Sequence, residues 1–96
     1  MKLLSVTPSD KPGKKLVAKF QSDTGRTRST HFGASGMDDY ITKHDKEQRE
    51  RYRTRHAKDL ETGDPTRAGH LSYYILWGNS TSLQANIASY RRRFNL

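Results

Sequence analysis

The run Lys14-Lys15-Leu16-Val17-Ala18-Lys19-Phe20-Gln21, followed by Ser22-Asp23-Thr24-Gly25 and then Arg26-Thr27-Arg28-Ser29-Thr30-His31-Phe32, sets the architecture. Leu16, Ala18 and Phe20 alternate with polar neighbours, the period-two pattern of a strand with one covered face. Ser22 to Gly25 is turn chemistry with a glycine free to take positive φ. The Thr-rich run after it reads as a second strand, and two such runs on a short Gly-containing link predict an antiparallel hairpin. Working backwards, Pro8 to Gly13 is a turn and Lys2 to Thr7 a short strand ahead of it.

Working forwards, Gly33-Ala34-Ser35-Gly36-Met37 is a small-residue loop. A helix is expected over about 45–60. Asp45 with Gln48 resembles a capping box, and Asp45–Arg49 and Glu47–Arg51 are i,i+4 pairs with the acid first. Its apolar stripe, Gln48, Tyr52, His56 and Leu60, is thin. Asp64-Pro65 suits an N-cap and first helical position, opening a helix from Thr66 to Trp77 with Gly78 as the residue after its end. Thr81-Ser82-Leu83-Gln84 reads as a further capping box, and Leu83, Ile87, Tyr90 and Phe94 mark an amphipathic helix ending in Arg91-Arg92-Arg93. The expected fold class is α+β. A small antiparallel sheet precedes three helices, the last two forming a helical hairpin whose Leu71, Ile75, Trp77, Leu83, Ile87 and Phe94 make the main core. One small domain is expected, with a β-rich part at 1–33 and a helical part at 45–96.

Composition narrows the function classes. Leu, Ile, Val and Phe make 16 of 96 residues and the net charge is +8, inside the range of chains too poor in apolar residues to fold alone. Part of the chain's order is therefore expected to come from a neighbour: a protein partner, a lattice or a nucleic acid. A pI near 10.1 implies attraction to polyanions. Without cysteine there is no disulfide and no thiolate metal site, which fits a reducing compartment. The N-terminus is too short before Pro8 for a signal peptide, and no apolar run approaches the roughly 18 residues of a membrane span.

No residue set announces a reaction. His31, His44, His56 and His70 never stand three or four apart, so no helix offers two imidazoles to a metal. Asp38-Asp39 is a lone carboxylate pair, better read as a polar cap before Tyr40 than as a cation site. Gly33 to Gly36 lacks the GK[ST] ending of a phosphate-binding P-loop and reads more simply as a tight turn. Neither a catalytic residue, a metal nor a cofactor is assigned.

The basic residues carry more. Lys43 to Lys58 holds seven Lys or Arg against three acids. Arg49, Arg53 and His56 share one side, and Arg51, Arg55 and Lys58 another, so charge is expected to surround the helix. A dedicated groove reader concentrates it on one face. With Tyr52, Tyr73, Tyr74 and Trp77 as amphipathic anchors, this composition matches protein interfaces and would equally serve base stacking. The expected partner-binding residues are Arg49, Arg51, Tyr52, Arg53, Arg55, Tyr73, Tyr74, Arg91, Arg92 and Arg93. The hairpin edge offers a further route, strand addition to a neighbour.

The segments Ser22–Thr27, Thr30–Tyr40, Asp64–Gly69 and Ser72–Gly78, with FGASGMDDY and YYILW the most distinctive, resemble an uncharacterised family of small basic proteins from large double-stranded DNA viruses of algae and protists. The resemblance covers roughly residues 14–94 and implies a viral context rather than an activity. It implies a non-enzymatic virion component, a minor capsid or cement-type protein bridging neighbouring capsid subunits. Its partners would be other capsid or virion proteins, with nucleic acid or the anionic inner membrane surface as further candidates, and no small-molecule substrate. Its location would be the virion, and the host cell cytoplasm during assembly. The alternative is a basic nucleic-acid-binding protein of genome packaging or transcription.

Overall fold

The computed structural model describes residues 1–96 and has the α+β class expected. Strands β1 (Lys2–Pro8), β2 (Lys14–Gln21) and β3 (Thr27–Ala34) form one antiparallel sheet in the order β1-β2-β3. Helices follow: α1 (Tyr40–Lys43), α2 (Lys46–His56) with a 3₁₀ extension over Ala57–Thr62, α3 (Ala68–Leu71) running into a π-helical turn at Ser72–Leu76, and α4 (Leu83–Phe94).

In the sheet, Leu16 stands opposite Phe32 and Ala18 opposite Thr30. In β1, Leu3 lies opposite Phe20 and Val6 opposite Ala18, although three residues separate Leu3 from Val6. A bulge between Leu3 and Ser5 reconciles them. The extra residue lets both turn to the covered face and leaves Leu4 exposed.

The core is not confined to the helical hairpin. Leu3, Ala18, Phe20 and Phe32 from the sheet join Tyr40, Leu71, Ile75, Leu76, Trp77, Ile87 and Tyr90 in one buried cluster, while Leu83 and Phe94 are only partly covered. The period-two face of β2 needed a lid, and the final helices supply it. The radius of gyration is 12.8 Å, that of a compact domain of this length, about 13 Å for 100 residues. Scarce apolar residues are thus concentrated rather than missing. Depth is uneven along the helical part: α1 buries Tyr40 and α3 buries His70 and Leu71, whereas α2 and its 3₁₀ extension bury no residue fully.

Local corrections have simple causes. Asp64 does not cap a helix; its Oδ1 accepts from the Thr66 amide at 2.9 Å and hydroxyl at 2.6 Å, a side-chain-stabilised turn, and the helix starts at Ala68. Ser82, not Thr81, caps α4, accepting from Ala85 N at 3.2 Å. Gly78 is required for space rather than for a helix-ending conformation, since a Cβ there would sit 2.2 Å from the Tyr74 carbonyl oxygen. The β1 edge is met by the end of α4: Arg91 Nε donates to Leu3 O at 3.1 Å, and Leu3 N donates to Leu96 O at 3.4 Å. The start of the β1 edge is thus engaged from within the chain, and β3 forms the other edge of the sheet.

Candidate functional site

Folding sorts the charges of α2. Arg53 donates from Nε to Trp77 O at 2.9 Å and from Nη2 to Asn79 Oδ1 at 3.0 Å. Arg49 reaches Gly78 O and Asn79 O, each at 3.4 Å, with its guanidinium carbon 4.6 Å from the Tyr40 ring centre. Carbonyls at the end of the π-helical turn lack intrahelical donors, and two cationic forks satisfy them. Arg51 and Arg55, four residues apart, are left facing solvent. The helix is thus not surrounded by available charge, as the sequence suggested: Arg49 and Arg53 are committed internally. Arg91 is committed likewise, to Leu3 O.

Tyr52 is also an internal part. Its ring stacks on His56 at 4.1 Å and on Trp77 at 4.5 Å between centroids, and burial pushes its phenol above the ordinary value. Trp77 is buried, while Tyr52 is half-buried and keeps part of its surface at the adjoining groove.

Four of the ten expected residues do converge. Arg53, Tyr73, Tyr74 and Arg93 line a cavity of about 180 Å³ with Asn79, Asn86, Ser89 and Tyr90. The Arg93 guanidinium lies 4.6 Å from the Tyr74 ring centre and that of Arg53 lies 5.8 Å from Tyr73, and the two tyrosine rings meet edge to face at 4.9 Å. No acid lines this cavity. Burial, then the charge of Arg49, holds the Arg53 guanidinium below its usual pKa, against the pull of Glu50. Sequence reasoning missed Asn86 and Ser89, yet a signal existed: Asn86, Tyr90 and Arg93 recur at i, i+4 and i+7 on one face of α4.

A larger groove, about 510 Å³, opens between the Gly33–Met37 loop and the Tyr52–Trp77 stack, with Lys14, Arg55 and Asp59 at its margins. Beside it, Lys15 Nζ meets Asp39 Oδ2 at 2.6 Å and also donates to the Met37 carbonyl. Asp39 further accepts from Thr42 N at 2.8 Å, capping α1. Asp38 accepts from Gln48 Nε2 at 3.1 Å. Both members of the Asp38-Asp39 pair therefore have partners within the chain. No group of three His, Cys, Asp or Glu side chains converges as a metal site would require.

The surface balance follows from these pairings. Seven of the ten acids accept a hydrogen bond or ion pair: Asp23, Asp38, Asp39, Asp45, Glu50, Asp59 and Asp64. Of the 18 Lys and Arg, seven are engaged: Lys15, Lys43, Arg49, Arg53, Arg67 and Arg91 by bonds or ion pairs, and Arg93 by Tyr74. The other eleven side chains are exposed and unpaired, Lys19, Arg26, Arg28, Arg51, Arg55 and Arg92 among them.

No curated protein and no solved structure matches the chain. A family model described as a family of unknown function, DUF5754, matches residues 4–56, from β1 to the last residue of α2. That is more than half of the 96 residues, and the chain belongs to this family of unknown function.

Proposed function

We propose that the chain is a non-enzymatic structural component of a large DNA virus particle, a minor capsid or cement-type protein that bridges neighbouring capsid subunits. One observation carries the reading: seven of the ten acids are paired within the chain, most of them at its surface, while eleven cations stay unpaired and exposed on several sides. Lys19 stands on the open sheet face, Arg26 and Arg28 at the hairpin end, Arg51 and Arg55 on α2, and Arg92 at the end of α4. Charge spread over separate elements suits contact with several acidic surfaces at once, through charge-assisted hydrogen bonds to carboxylates. The half-buried Tyr73 and Tyr74 add apolar area beside them. The viral setting, with the virion as location and the host cytoplasm as the site of assembly, rests on the resemblance read from the sequence alone.

The test is lysine-directed cross-linking of intact purified particles, read by mass spectrometry. Links from Lys14, Lys19 and Lys58 to capsid subunits are expected on more than one side of the molecule. Absence of the protein from particles, or its recovery only with the genome after the shell is removed, would sink the reading.

A second reading has its own support. With Arg49 and Arg53 turned inward, Arg51 and Arg55 form a one-sided basic face of the sort that tracks a nucleic-acid backbone. Affinity for duplex DNA would then fall steeply with salt, and Arg51→Gln with Arg55→Gln would lower that slope.

A further inference from the structure

The cavity between α2, the π-helical turn and α4 combines features that surface arginines alone do not have. Arg53 enters from α2, already held by Trp77 O and Asn79 Oδ1, so its fork has a fixed direction. Arg93 enters from α4, rests on the Tyr74 ring and makes no hydrogen bond, so all five of its donors are free. The remaining lining is Tyr73, Tyr74, Tyr90, Asn79, Asn86, Ser89 and Gly78, without a carboxylate. The wider group of charges is uneven: Arg49, Arg53 and Arg93 stand against Glu50 alone, which meets Arg49 at 3.0 Å and Arg53 at 3.9 Å. Three positive charges and one negative leave an excess of two. Arg49 and Arg53 are largely covered, so the charge on the α2 side costs more than in water, whereas Arg93 is exposed at the mouth.

We propose that this cavity is a binding site for a phosphate-type dianion, held between the guanidiniums of Arg53 and Arg93. A dianion balances the excess, whereas a single carboxylate leaves half of it. A volume of about 180 Å³ accommodates one tetrahedral oxyanion with its first substituent. Planar guanidinium forks match such oxygens in pairs. The anion is either free phosphate or the terminal group of a phosphomonoester. The site uses none of the outward cations on which the capsid role rests, although it shares Tyr73 and Tyr74 with that surface.

Arg93 is the residue to change, because it carries no structural hydrogen bond, whereas loss of Arg53 would also free two carbonyl partners. Inorganic phosphate is titrated into the intact protein at constant ionic strength and followed by NMR shifts of the Tyr73, Tyr74 and Asn79 amides. One saturable site is expected. Arg93→Gln weakens it about tenfold or more, the usual worth of a charge-assisted contact, while Arg92→Gln, which removes equal charge outside the cavity, changes it less than about twofold. Phenyl phosphate competing with inorganic phosphate identifies the monoester as an acceptable source; failure to compete restricts the site to the free anion. The proposal is overturned by a non-saturable response, by equal weakening in the two variants, or by acetate competing as well as phosphate.

Discussion

Arg53 on α2 donates its Nε hydrogen to the carbonyl of Trp77 at 2.9 Å, across 24 residues of sequence. This contact turns a basic helix with no fully buried residue into part of the fold. Arg53→Gln should lower stability by about 2 kcal/mol, because a charged donor is lost and the carbonyl partner left short of one. Arg51→Gln, on the solvent side of the same helix, should fall within about 0.5 kcal/mol of the parent. Urea unfolding of both variants checks the sorting; equal costs would mean that α2 does not dock through Arg53.

Gly33 carries a second expectation. Its φ is +78°, and a Cβ there would lie 2.6 Å from Leu76 Cδ1 and 3.3 Å from Lys15 Cβ. Gly33→Ala therefore combines left-handed strain with overpacking of the core, about 2–4 kcal/mol together. Gly13 has a similar φ of +83° but open space around it. Gly13→Ala should cost only the backbone part, about 1 kcal/mol. The difference between the two thermal midpoints isolates the packing contribution.

How far the sequence could be read depends on the range of each interaction. Alternation in Leu16, Ala18 and Phe20, and helical spacing in Leu83, Ile87 and Tyr90, are local patterns, and both elements form where those patterns put them. The bulge at Leu4 left no mark, because an inserted residue looks like any other until its partner strand is known. The π-helical turn at Ser72–Leu76 is hidden for a related reason: a Tyr-Tyr-Ile-Leu run fits either helical period, and five-residue bonds such as Trp77 N to Ser72 O tell them apart. For the candidate site, the residue types were legible and their duties were not. Arg49, Arg53, Arg91 and Arg93 look alike in sequence. Which of them meets a carbonyl is decided by segments 24 to 88 residues away. Arg53, Tyr73, Tyr74 and Arg93 could be named separately, but only the packing of α4 against the π-helical turn makes them one cavity.

The Lys15–Asp39 pair sets the acid limit of the fold. Burial raises the Asp39 pKa, but hydrogen bonds from Lys15 and Thr42 outweigh it and hold the carboxyl below its ordinary value. The unfolded chain then takes up the proton more readily than the folded one. The stabilisation is complete above the ordinary carboxylate value, about 3.9, and is lost as pH falls through it towards the folded value. At neutral pH, Asp39→Asn should cost about 2 kcal/mol by leaving Lys15 without its carboxylate. The gap between Asp39→Asn and the parent should close below about pH 4. A gap that persists undiminished in acid would show that the loss does not come from the Lys15–Asp39 charge pair.

His70 sets a separate limit at milder pH. It is buried, its Nδ1 has no hydrogen-bond partner, and Tyr74 and Phe94 lie at 6.4 and 5.8 Å between ring centres. Burial lowers its pKa by disfavouring the imidazolium, and the charges of Asp64 and Asp59 oppose this only in part. The unfolded chain, with an ordinary histidine value of about 6.5, therefore binds the proton first. Stability is full above that value and declines as pH drops below it, well before Asp39 begins to titrate. His70→Leu removes the proton acceptor and the orphaned nitrogen at similar volume, so it should unfold near the parent midpoint at pH 8. Between pH 6.5 and pH 5 its urea midpoint should stay level while that of the parent falls. His31 and His44 keep access to water, and parallel decline of the parent and His70→Leu over this interval would assign the sensitivity to groups other than His70.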